Sequence, residues 1–311
     1  MKTYDSINYK TESKTVCALG CFDGVHIGHA SIIKKAKQKA EQLSALCAVW
    51  SFAEPPKNFF LKDEEKITML TTFDEKQLEM SRLGVDVFVS VPFDKSISEM
   101  SAESFFYSVL VGSMNASCVV CGFNYRFGKG GKGDCELLGR LCEENGIELC
   151  VIPPVQIDGA TVSSTEIRGA LAKGDTLRAA LYLGRPYSIT ASIVGGQQLG
   201  RTLGFPTLNQ SFAKEKLVPQ RGVYVSRIIF DKNIKYGVTN IGVRPTVDGS
   251  TLCAETNLFD FSGDLYGKQV KVELLDFLRS EQRFDSLDLL TEQVNRDISH
   301  AKEIIAKKYA I

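Results

Sequence analysis

The segment Gly20-Cys21-Phe22-Asp23-Gly24-Val25-His26-Ile27-Gly28-His29 decides the fold of the first half of the chain. The apolar run Val16 to Leu19 before it predicts a buried strand, and apolar residues at helical spacing within 30–43 predict a helix after it. Such a turn is a common phosphate site, because free backbone N–H groups and the positive end of the helix dipole meet there. Two of the three histidines of the chain lie in this segment. It therefore predicts a phosphate-binding turn with two imidazole donors, and the alternative is a plain strand-turn-helix with two surface histidines.

Length and charge restrict the class of protein. A chain of 311 residues suggests two domains. Lys plus Arg equals Asp plus Glu, at 37 each, so no net field attracts nucleic acid or an anionic membrane. The N-terminus has no apolar signal region, and no run of 18 apolar residues occurs. We therefore expect a cytoplasmic protein without nucleic-acid or membrane partners, whose oligomeric state the sequence does not indicate.

The nine cysteines predict reduced thiols, since their number is odd, their spacing is irregular and no secretory signal precedes them. Cys118 and Cys121 have the spacing of a metal or redox pair, but they lie in an apolar run that predicts a strand. Residues three apart on a strand point to opposite faces. This pair is therefore not expected to share a metal ion.

Strands and helices alternate as far as residue 152. The expected strands are Val16–Leu19, Leu46–Phe52, Val85–Val91, Ser117–Cys121 and Ile147–Ile152. The expected helices are 30–43, one from a capping box at Thr72 and Glu75 to about Leu83, Ser101–Gly112 and Glu136–Glu144. This alternation predicts a parallel α/β sheet of the Rossmann-like type, covered by helices on both faces. Ligands of such sheets bind beyond the carboxyl ends of the strands, where His26 falls.

Beyond Gly184 the pattern changes to short strands separated by Gly, Asn and Asp turns. The expected strands are Ser188–Val194, Gly222–Phe230, Lys235–Ile241, Cys253–Phe259 and Gln269–Leu275. A helix from about Ser286 follows, with an apolar stripe formed by Leu287, Leu290, Val294, Ile298, Ala301 and Ile305. We predict a small antiparallel β-barrel with a C-terminal helix, and domains at 1–184 and 185–311.

Three further segments carry candidate chemistry. Residues 122–134 form a glycine- and lysine-rich loop after a predicted strand, without the residue order of a P-loop. Ser163–Arg168 places two hydroxyls and an arginine at a helix start, which is either an anion site or the capping box of Ser163 and Glu166. Gly200–Asn209 is a glycine-rich turn in which Thr207 and Asn209 offer two neutral oxygen ligands to Mg²⁺.

These segments together resemble a known family. His26-Ile27-Gly28-His29 is the signature of the class I nucleotidyltransferase superfamily, and the whole of Gly20–His29 resembles the first motif of the bifunctional bacterial riboflavin kinase/FMN adenylyltransferases, the prokaryotic FAD synthetases. The three segments just described resemble further motifs of that family. So do Gly222-Val223-Tyr224, Gly237–Thr246, Glu255–Phe261 and Phe277–Phe284, so that the resemblance covers nearly the whole chain.

The resemblance implies two reactions. The barrel would phosphorylate riboflavin to FMN with ATP, and the first domain would adenylylate FMN to FAD with release of pyrophosphate. The implied cofactor is Mg²⁺, and the implied partners are riboflavin, FMN, FAD and ATP.

The resemblance also implies roles for individual residues. The implied catalytic residues are His26, His29 and Arg168 for adenylylation and Glu255, the general base, for the kinase. The implied nucleotide and phosphate ligands are Gly20, Phe22, Asp23, Gly24, Gly28, Ser163, Ser164, Thr165, Arg201 and Gly204. The implied flavin ligands are Asn124, Tyr125, Phe127, Arg279 and Glu281, and the implied metal ligands are Thr207 and Asn209. Without the resemblance, a lone glutamate such as Glu255 would be read as a solvated strand residue.

Two departures and two rival functions stay open. Asn257 stands where the family often has histidine, and Gly195–Leu199 replaces a loop that usually contains His-Gly. One rival is a class I tRNA synthetase fragment or a pantetheine-phosphate or cytidylyl transferase, which the balanced charge, the missing lysine-rich signature and the barrel oppose. The other is a flavin-binding sensor or scaffold without kinase activity, which the presence of Thr207, Asn209 and Glu255 opposes.

Overall fold

The computed structural model describes residues 1–195, 205–246 and 249–309, except for the side chains of 244–246 and 249–251. The chain divides into two compact units, Met1–Ser164 and Thr165–Ile311. Each unit contains one large sheet. Within the described ranges, no helix has the length and apolar character needed to span a bilayer.

The first unit is built on a six-stranded parallel sheet. Its strands are β1 (Lys2–Tyr4), β2 (Thr15–Leu19), β3 (Leu46–Phe52), β4 (Val87–Val91), β5 (Ala116–Gly122) and β6 (Glu148–Ile152). Their order across the sheet is β1-β4-β3-β2-β5-β6. A separate two-stranded ribbon consists of β7 (Gln156–Ile157) and β8 (Ala160–Thr161). The predicted parallel α/β sheet is confirmed, and β1 was missed because three residues are too few to show a period.

Helices connect these strands. They are α1 (Ile27–Gln42), α2 (Phe73–Arg82), α3 (Lys95–Ser98), α4 (Ala102–Phe105), which continues as a π-helix over Phe106–Val111, and α5 (Cys135–Glu144). Short 3₁₀ turns occur at Pro56–Phe60, Asp63–Glu65 and Lys129–Gly131. The predicted capping box opens α2, since the Glu75 N–H donates to Thr72 Oγ1 and the Thr72 N–H donates to the Glu75 carboxylate.

The cysteines of the first unit lie on both faces of its sheet. Cys118 packs with Val16 on one side, whereas Cys121 packs with Leu19 on the other. The prediction that these two thiols face apart is therefore confirmed. None of the nine cysteines, all of which lie in the described ranges, forms a disulfide.

The second unit is a curled antiparallel sheet flanked by helices. Its strands are β9 (Tyr187–Ser192), β10 (Thr207–Ser211), β11 (Gly222–Phe230), β12 (Asn233–Thr246), β13 (Gly249–Leu258) and β14 (Gln269–Ser280), in the order β10-β13-β12-β11-β14-β9. The two edge strands approach each other at a bridge in which the Val194 N–H donates to the Asn209 carbonyl at 2.9 Å. This contact curls the sheet into the predicted barrel-like form. Sequence reasoning missed β10, because its residues were read as part of a glycine-rich turn.

The described part of this unit has three helices: α6 (Ser164–Ala172), whose first residue closes the first unit, α7 (Thr176–Leu183) and α8 (Leu287–Lys308). α8 begins at the predicted residue, where the Ser286 hydroxyl accepts from the Leu289 N–H. α7 is tied to the sheet, since the Thr176 hydroxyl donates to the Leu275 carbonyl at 2.9 Å. The division of the chain into folding domains at Gly184 stays a prediction.

Candidate active sites

The strand order places two predicted motifs side by side. β3 and β4 lie on one side of β2, whereas β5 and β6 lie on the other, so the direction of winding reverses between β2 and β5. Residues 20–29 follow the carboxyl end of β2, and residues 122–128 follow that of β5. Ligands of open α/β sheets bind at such a reversal. The fold therefore brings the first two motifs together at the expected binding crevice.

The turn after β2 has an unusual backbone. Phe22, Gly24 and Val25 all have positive φ, at 51°, 81° and 40°. This conformation is costly for a β-branched residue such as Val25 and is found mainly where the surroundings enforce it. Buried Asp23 supplies part of that enforcement, because its carboxylate accepts from the Leu70 N–H at 2.8 Å. Asp23 thus shapes the turn from inside, and its contact with nucleotide stays a prediction.

The two histidines of the turn form a stacked pair. Their ring centroids lie 3.6 Å apart, and His26 Nδ1 accepts from the His29 N–H at 3.2 Å. Because that nitrogen accepts a hydrogen bond, a neutral His26 carries its proton on Nε2, which becomes a donor. A Cβ at Gly28 would lie only 3.1 Å from His26 Cε1, so glycine makes room for this imidazole. The predicted role of Gly28, close ligand approach, is compatible with this second one.

His29 is held in the neutral form. Burial lowers the pKa of His29 well below its usual value, and the charges of His26 and Lys76 lower it further. The edge of the buried Phe22 ring contacts the imidazole, with centroids 5.3 Å apart. Phe22 itself lies beneath Gly20, where a Cβ would meet its ring at 3.0 Å. Phe22 therefore packs against His29, and glycine at position 20 leaves room for the Phe22 ring.

A buried lysine under this turn was not predicted. Lys76 is fully buried, and its Nζ donates to the carbonyls of Cys21 and Phe52, both at 3.1 Å. The buried Ser51 hydroxyl donates to the same Cys21 carbonyl at 3.1 Å. One signal in the sequence could have indicated this burial: Lys76 lies four residues before Met80 and therefore shares the apolar face of α2.

The second motif contributes to an aromatic cavity of about 340 Å³ in the first unit. The rings of Tyr125 and Phe127 stack at 5.8 Å with an interplanar angle of 12°. The cavity is lined by aromatic and small residues, among them Phe52, Pro56, Phe60, Phe93, Phe105, Tyr125, Phe127 and Gly128. Asn124 is exposed and lies outside this lining. A cavity with these walls suits a flat ring system.

The third motif reaches the first turn through one hydroxyl. Ser164, the first residue of α6, donates from Oγ to the Asp23 carbonyl at 3.0 Å. Ser163, just before it, is half-buried. Thr165 and Arg168 follow on the same helix within the second unit, and their contacts with nucleotide stay predictions.

The second unit contains a cavity of about 600 Å³ at one end of its sheet. Its polar lining consists of Thr207, Asn240, Glu255, Asn257, Arg279, Glu281, Gln282, Asp285, Ser286 and Asp297. Its apolar lining consists of Phe205, Val223, Val238, Phe284, Leu287, Leu290, Val294 and Ile298. The lining thus offers apolar contacts for a hydrophobic ring together with polar partners for other groups.

Strand register brings the predicted metal ligands and base together. Asn209 on β10 lies directly opposite Glu255 on β13, and Glu255 lies opposite Asn240 on β12. Thr207, two residues before Asn209, shares its face of the sheet. Asn240 is a cavity residue that sequence reasoning missed, because its place depends on pairing between strands.

The donor set at this face suits Mg²⁺. Asn209 Oδ1 is buried and accepts no hydrogen bond from any side chain or backbone group in the described part of the chain. A buried amide oxygen without a donor is a costly arrangement that a cation would relieve. Amide and hydroxyl oxygens are ligands that Mg²⁺ accepts together with phosphate and water.

The two predicted flavin ligands of the second unit are held differently. Arg279 pairs in bidentate fashion with Asp297 of α8, with N–O distances of 2.8–3.0 Å. Glu281 lies against Gly242, where an added Cβ would overlap its carboxylate. Glycine at position 242 is therefore required for this placement of Glu281.

Some predicted features lie outside the described residues. Arg201, Gly204 and all of the Gly195–Leu199 segment except Gly195 are among them. The other departure, Asn257, lines the cavity, and its Nδ2 donates to the Pro206 carbonyl at 3.0 Å.

One other group in the described part of the chain has the composition of a metal site. Cys118, Glu148 and Cys150 place their ligand atoms within 4.8 Å of one another across β5 and β6. However, the Lys39 ammonium lies 2.5 Å from the Glu148 carboxylate, and burial raises the pKa of Cys118 to about 12. The glutamate is already paired with a cation, and the thiol resists ionisation, so this group is a poor cation site.

Comparison with known proteins identifies the family. Residues 8–166 match the FAD synthetase family, and residues 183–305 match the riboflavin kinase family. The chain is 34% identical over 294 residues to a bifunctional riboflavin kinase/FMN adenylyltransferase of Bacillus subtilis, covering 93% of this chain and 92% of the relative. The enzyme of the same name from Escherichia coli K12 is 35% identical over 289 residues, covering 93% and 92%.

A solved structure has the same fold over the whole chain. A protein from Streptococcus pneumoniae described as a macrolide-efflux protein superposes with a TM-score of 0.87 at 31% identity, covering 97% of this chain and 98% of that one. The two family matches fall one on the first part of the chain and one on the second, and the curated relatives carry both names. The chain therefore belongs to the family of bifunctional riboflavin kinase/FMN adenylyltransferases.

Proposed function

We propose that this protein phosphorylates riboflavin to FMN in the second unit and adenylylates FMN to FAD in the first. The observation that supports this most directly is that each unit has its own cavity and, beside it, its own set of predicted phosphate or metal ligands. Asn209 and Glu255 lie opposite each other on neighbouring strands beside one cavity, whereas the His26–His29 pair follows β2, between the two strands whose ends contribute to the aromatic cavity of the other unit.

In the kinase reaction the nucleophile is a neutral alcohol, so a base has to remove a proton. Glu255 accepts the proton of the riboflavin 5′-hydroxyl as that oxygen bonds to the γ-phosphorus of ATP and ADP departs. Thr207 and Asn209 hold the Mg²⁺ ion, which when bound neutralises phosphate charge. The apolar wall that includes Val223 and Val238 holds the flavin ring, and Arg279 and Glu281 orient it.

In the adenylylation reaction the nucleophile is already an anion. An oxygen of the FMN phosphate bonds to the α-phosphorus of ATP, the bond between the α-phosphorus and the bridging oxygen breaks, and pyrophosphate leaves. No protein base is needed, so catalysis consists of placement and charge stabilisation. His26 Nε2–H, His29, the Gly28 amide at the start of α1 and the third motif supply the donors. The Gly24 N–H donates to Thr71 Oγ1 at 3.2 Å, so Gly24 contributes the shape of the turn.

The third motif contributes Ser163, Ser164, Thr165 and Arg168 to the triphosphate, at the start of a helix whose dipole favours anions. Tyr125 and Phe127 hold the flavin ring in the aromatic cavity, and Asn124 contacts its edge. Arg201 and Gly204 complete the nucleotide site of the kinase. We further propose a cytoplasmic location and no nucleic-acid partner, on the basis of the balanced charge.

Product analysis tests the proposal. The pure full-length protein is incubated with riboflavin, ATP and Mg²⁺, and flavins are separated by chromatography over time. We expect FMN to appear first and FAD to follow, and neither product to form when Mg²⁺ is chelated. FMN supplied with ATP should give FAD and pyrophosphate in equal amounts. Flavin binding without turnover would contradict the proposal and favour a sensor or scaffold.

A further inference from the structure

Lys76 links two parts of the adenylylation site from beneath. It lies on α2, and its ammonium donates to one carbonyl of the phosphate turn, that of Cys21, and to that of Phe52. Phe52 ends β3 and lines the aromatic cavity. The Cys21 carbonyl lies just beyond the end of β2, and the Phe52 carbonyl belongs to the last residue of β3. One side chain therefore fixes both the turn proposed for ATP and a wall proposed for the flavin.

A neutral donor is sufficient to form a hydrogen bond with either the Cys21 or the Phe52 carbonyl, so these carbonyls do not require a cation. The Ser51 hydroxyl, which is equally buried, donates to the same Cys21 carbonyl at 3.1 Å. A buried ammonium costs several kcal/mol more in lost hydration than a neutral donor does, unless an anion compensates it. Within the described ranges Lys76 forms no ion pair with a carboxylate, although Asp23 is close enough to act on its charge. Burial lowers the pKa of Lys76, and no carboxylate within the described ranges forms an ion pair with it, so an anion bound at the crevice would favour its charged form.

We propose that Lys76 is a positioning residue for FMN adenylylation, whose buried charge is compensated by the triphosphate of ATP bound at the His26–His29 turn. This inference rests on the proposed function of the first unit. The polyphosphate supplies the anion that the protein lacks at this position. Lys76 contributes by attraction across the turn, while its hydrogen bonds keep the Cys21 and Phe52 carbonyls in place.

The same charge acts on His29. The charged and titratable groups around the pair are His26 at the start of α1, Cys21 and Asp23 in the turn, and Lys76 on α2. Because like charges disfavour each other, the Lys76 ammonium opposes protonation of His29. Removal of that charge should therefore raise the pKa of His29, whereas a substitution that keeps the charge should not. If Lys76 had only a structural role, the pKa of His29 would not depend on whether the substituted side chain keeps the charge.

The experiment compares three variants of the full chain. Lys76→Met removes the charge and keeps the length, Lys76→Arg keeps the charge, and Ser51→Ala removes a neutral donor to the same Cys21 carbonyl. The imidazole titrations are followed by NMR, where the three histidines give few signals, assigned with His29→Ala and His300→Ala. FMN adenylylation is measured as kcat and KM for ATP, and riboflavin phosphorylation in the same sample reports on intact protein.

We expect Lys76→Met to raise the pKa of His29 and to lower kcat/KM for adenylylation on the order of 10- to 100-fold, mainly through KM for ATP. Lys76→Arg should keep the low pKa of His29 and recover most of the loss. Ser51→Ala should change kcat/KM by less than about threefold and leave His29 unchanged.

The proposal is overturned if His29 titrates identically in the wild type and in folded Lys76→Met, or if Ser51→Ala loses as much activity as Lys76→Met. Should Lys76→Met fail to fold, as shown by circular dichroism, Lys76→Arg decides: an ordinary His29 titration or a large loss in that variant overturns the proposal. A wild type that makes no FAD would instead refute the proposed function. The two failures are distinguishable, because the NMR titration measures the effect of Lys76 on His29 whether or not FAD forms.

Discussion

The His26–His29 turn and the Glu255 cavity both serve phosphate transfer in the proposed function, but they are built from different groups. The turn has stacked imidazoles, backbone N–H groups and a buried lysine, and the carboxylate within it, Asp23, is directed to the Leu70 N–H. The cavity has a half-buried carboxylate facing amide and hydroxyl oxygens on neighbouring strands. The nucleophile accounts for this difference. A phosphate needs no base and is attracted by positive charge, whereas an alcohol needs a carboxylate within reach.

The largest expected effect is on the kinase base. Glu255→Gln keeps the size of the side chain and one acceptor oxygen but removes basicity. We expect FMN formation to fall by about 10²- to 10⁴-fold, with little change in the affinity for Mg²⁺ or ATP. FAD formation from supplied FMN, measured in the same preparation, should be unchanged. Near-normal kinase turnover would make Glu255 structural, and a collapse of ATP affinity would instead indicate a metal ligand.

The second expected effect is the reverse case, in which a substitution in the His26–His29 turn lowers FAD formation and leaves FMN formation intact. His29→Ala removes one donor from the adenylylation site, so we expect a loss of about 2.7–4 kcal/mol of transition-state stabilisation, or roughly 10²- to 10³-fold in FAD formation. FMN formation should stay nearly intact, because the two motifs lie in separate units. His300→Ala, an exposed histidine of α8, is the matched control. Equal loss of both activities in folded His29→Ala would contradict the two-site arrangement.

The independence of the two regions is tested by truncation. A fragment that begins at Arg185 should fold and make FMN, as the predicted boundary requires. A fragment that begins at Thr165 keeps α7, whose Ala179 and Tyr182 are buried, and the hydrogen bond from Thr176 to the Leu275 carbonyl. We expect the shorter fragment to be less stable by at least about 2 kcal/mol, because burial of one large side chain such as Tyr182 alone contributes about that much. Urea unfolding followed by circular dichroism measures the difference, and an unfolded 185–311 would refute the predicted boundary.

The smallest effect is a pH dependence of stability confined to the turn. The folded-state pKa of His29 is lowered, so the unfolded chain binds a proton first as pH falls. Stability should be fully present above about pH 6.5, the unfolded value, and should decline below it by at most about 1.4 kcal/mol per pH unit. The difference between wild type and His29→Ala, measured by urea unfolding of the first unit at several pH values, isolates this contribution. A difference independent of pH would contradict it.

The features that the sequence predicted depend on residues that are contiguous in the chain, whereas those it missed depend on contacts between residues far apart in the chain. The turn at Gly20–His29 was predictable because its strand, glycines and helix start are contiguous. Glu255 came only from resemblance, since its role depends on lying opposite Asn209, 46 positions earlier in the chain. In the sequence, Lys76 looks like any lysine of a capped helix. Its role depends on the carbonyls of Cys21 and Phe52, which only the folded sheet brings to it. β10 was hidden because Leu208 is its one apolar residue, so the strand shows no apolar alternation.

The pairing of Asn209 with Glu255 also constrains how the chain can change in length. Successive residues of a strand face opposite sides, so a one-residue insertion or deletion within Thr207–Ser211 would turn Asn209 away from Glu255 as completely as replacing its side chain. An exposed turn such as the one at Asp231 and Lys232 carries no such requirement. Natural variation in length is therefore expected to accumulate in turns of this kind, while β10 and β13 keep their residue counts fixed.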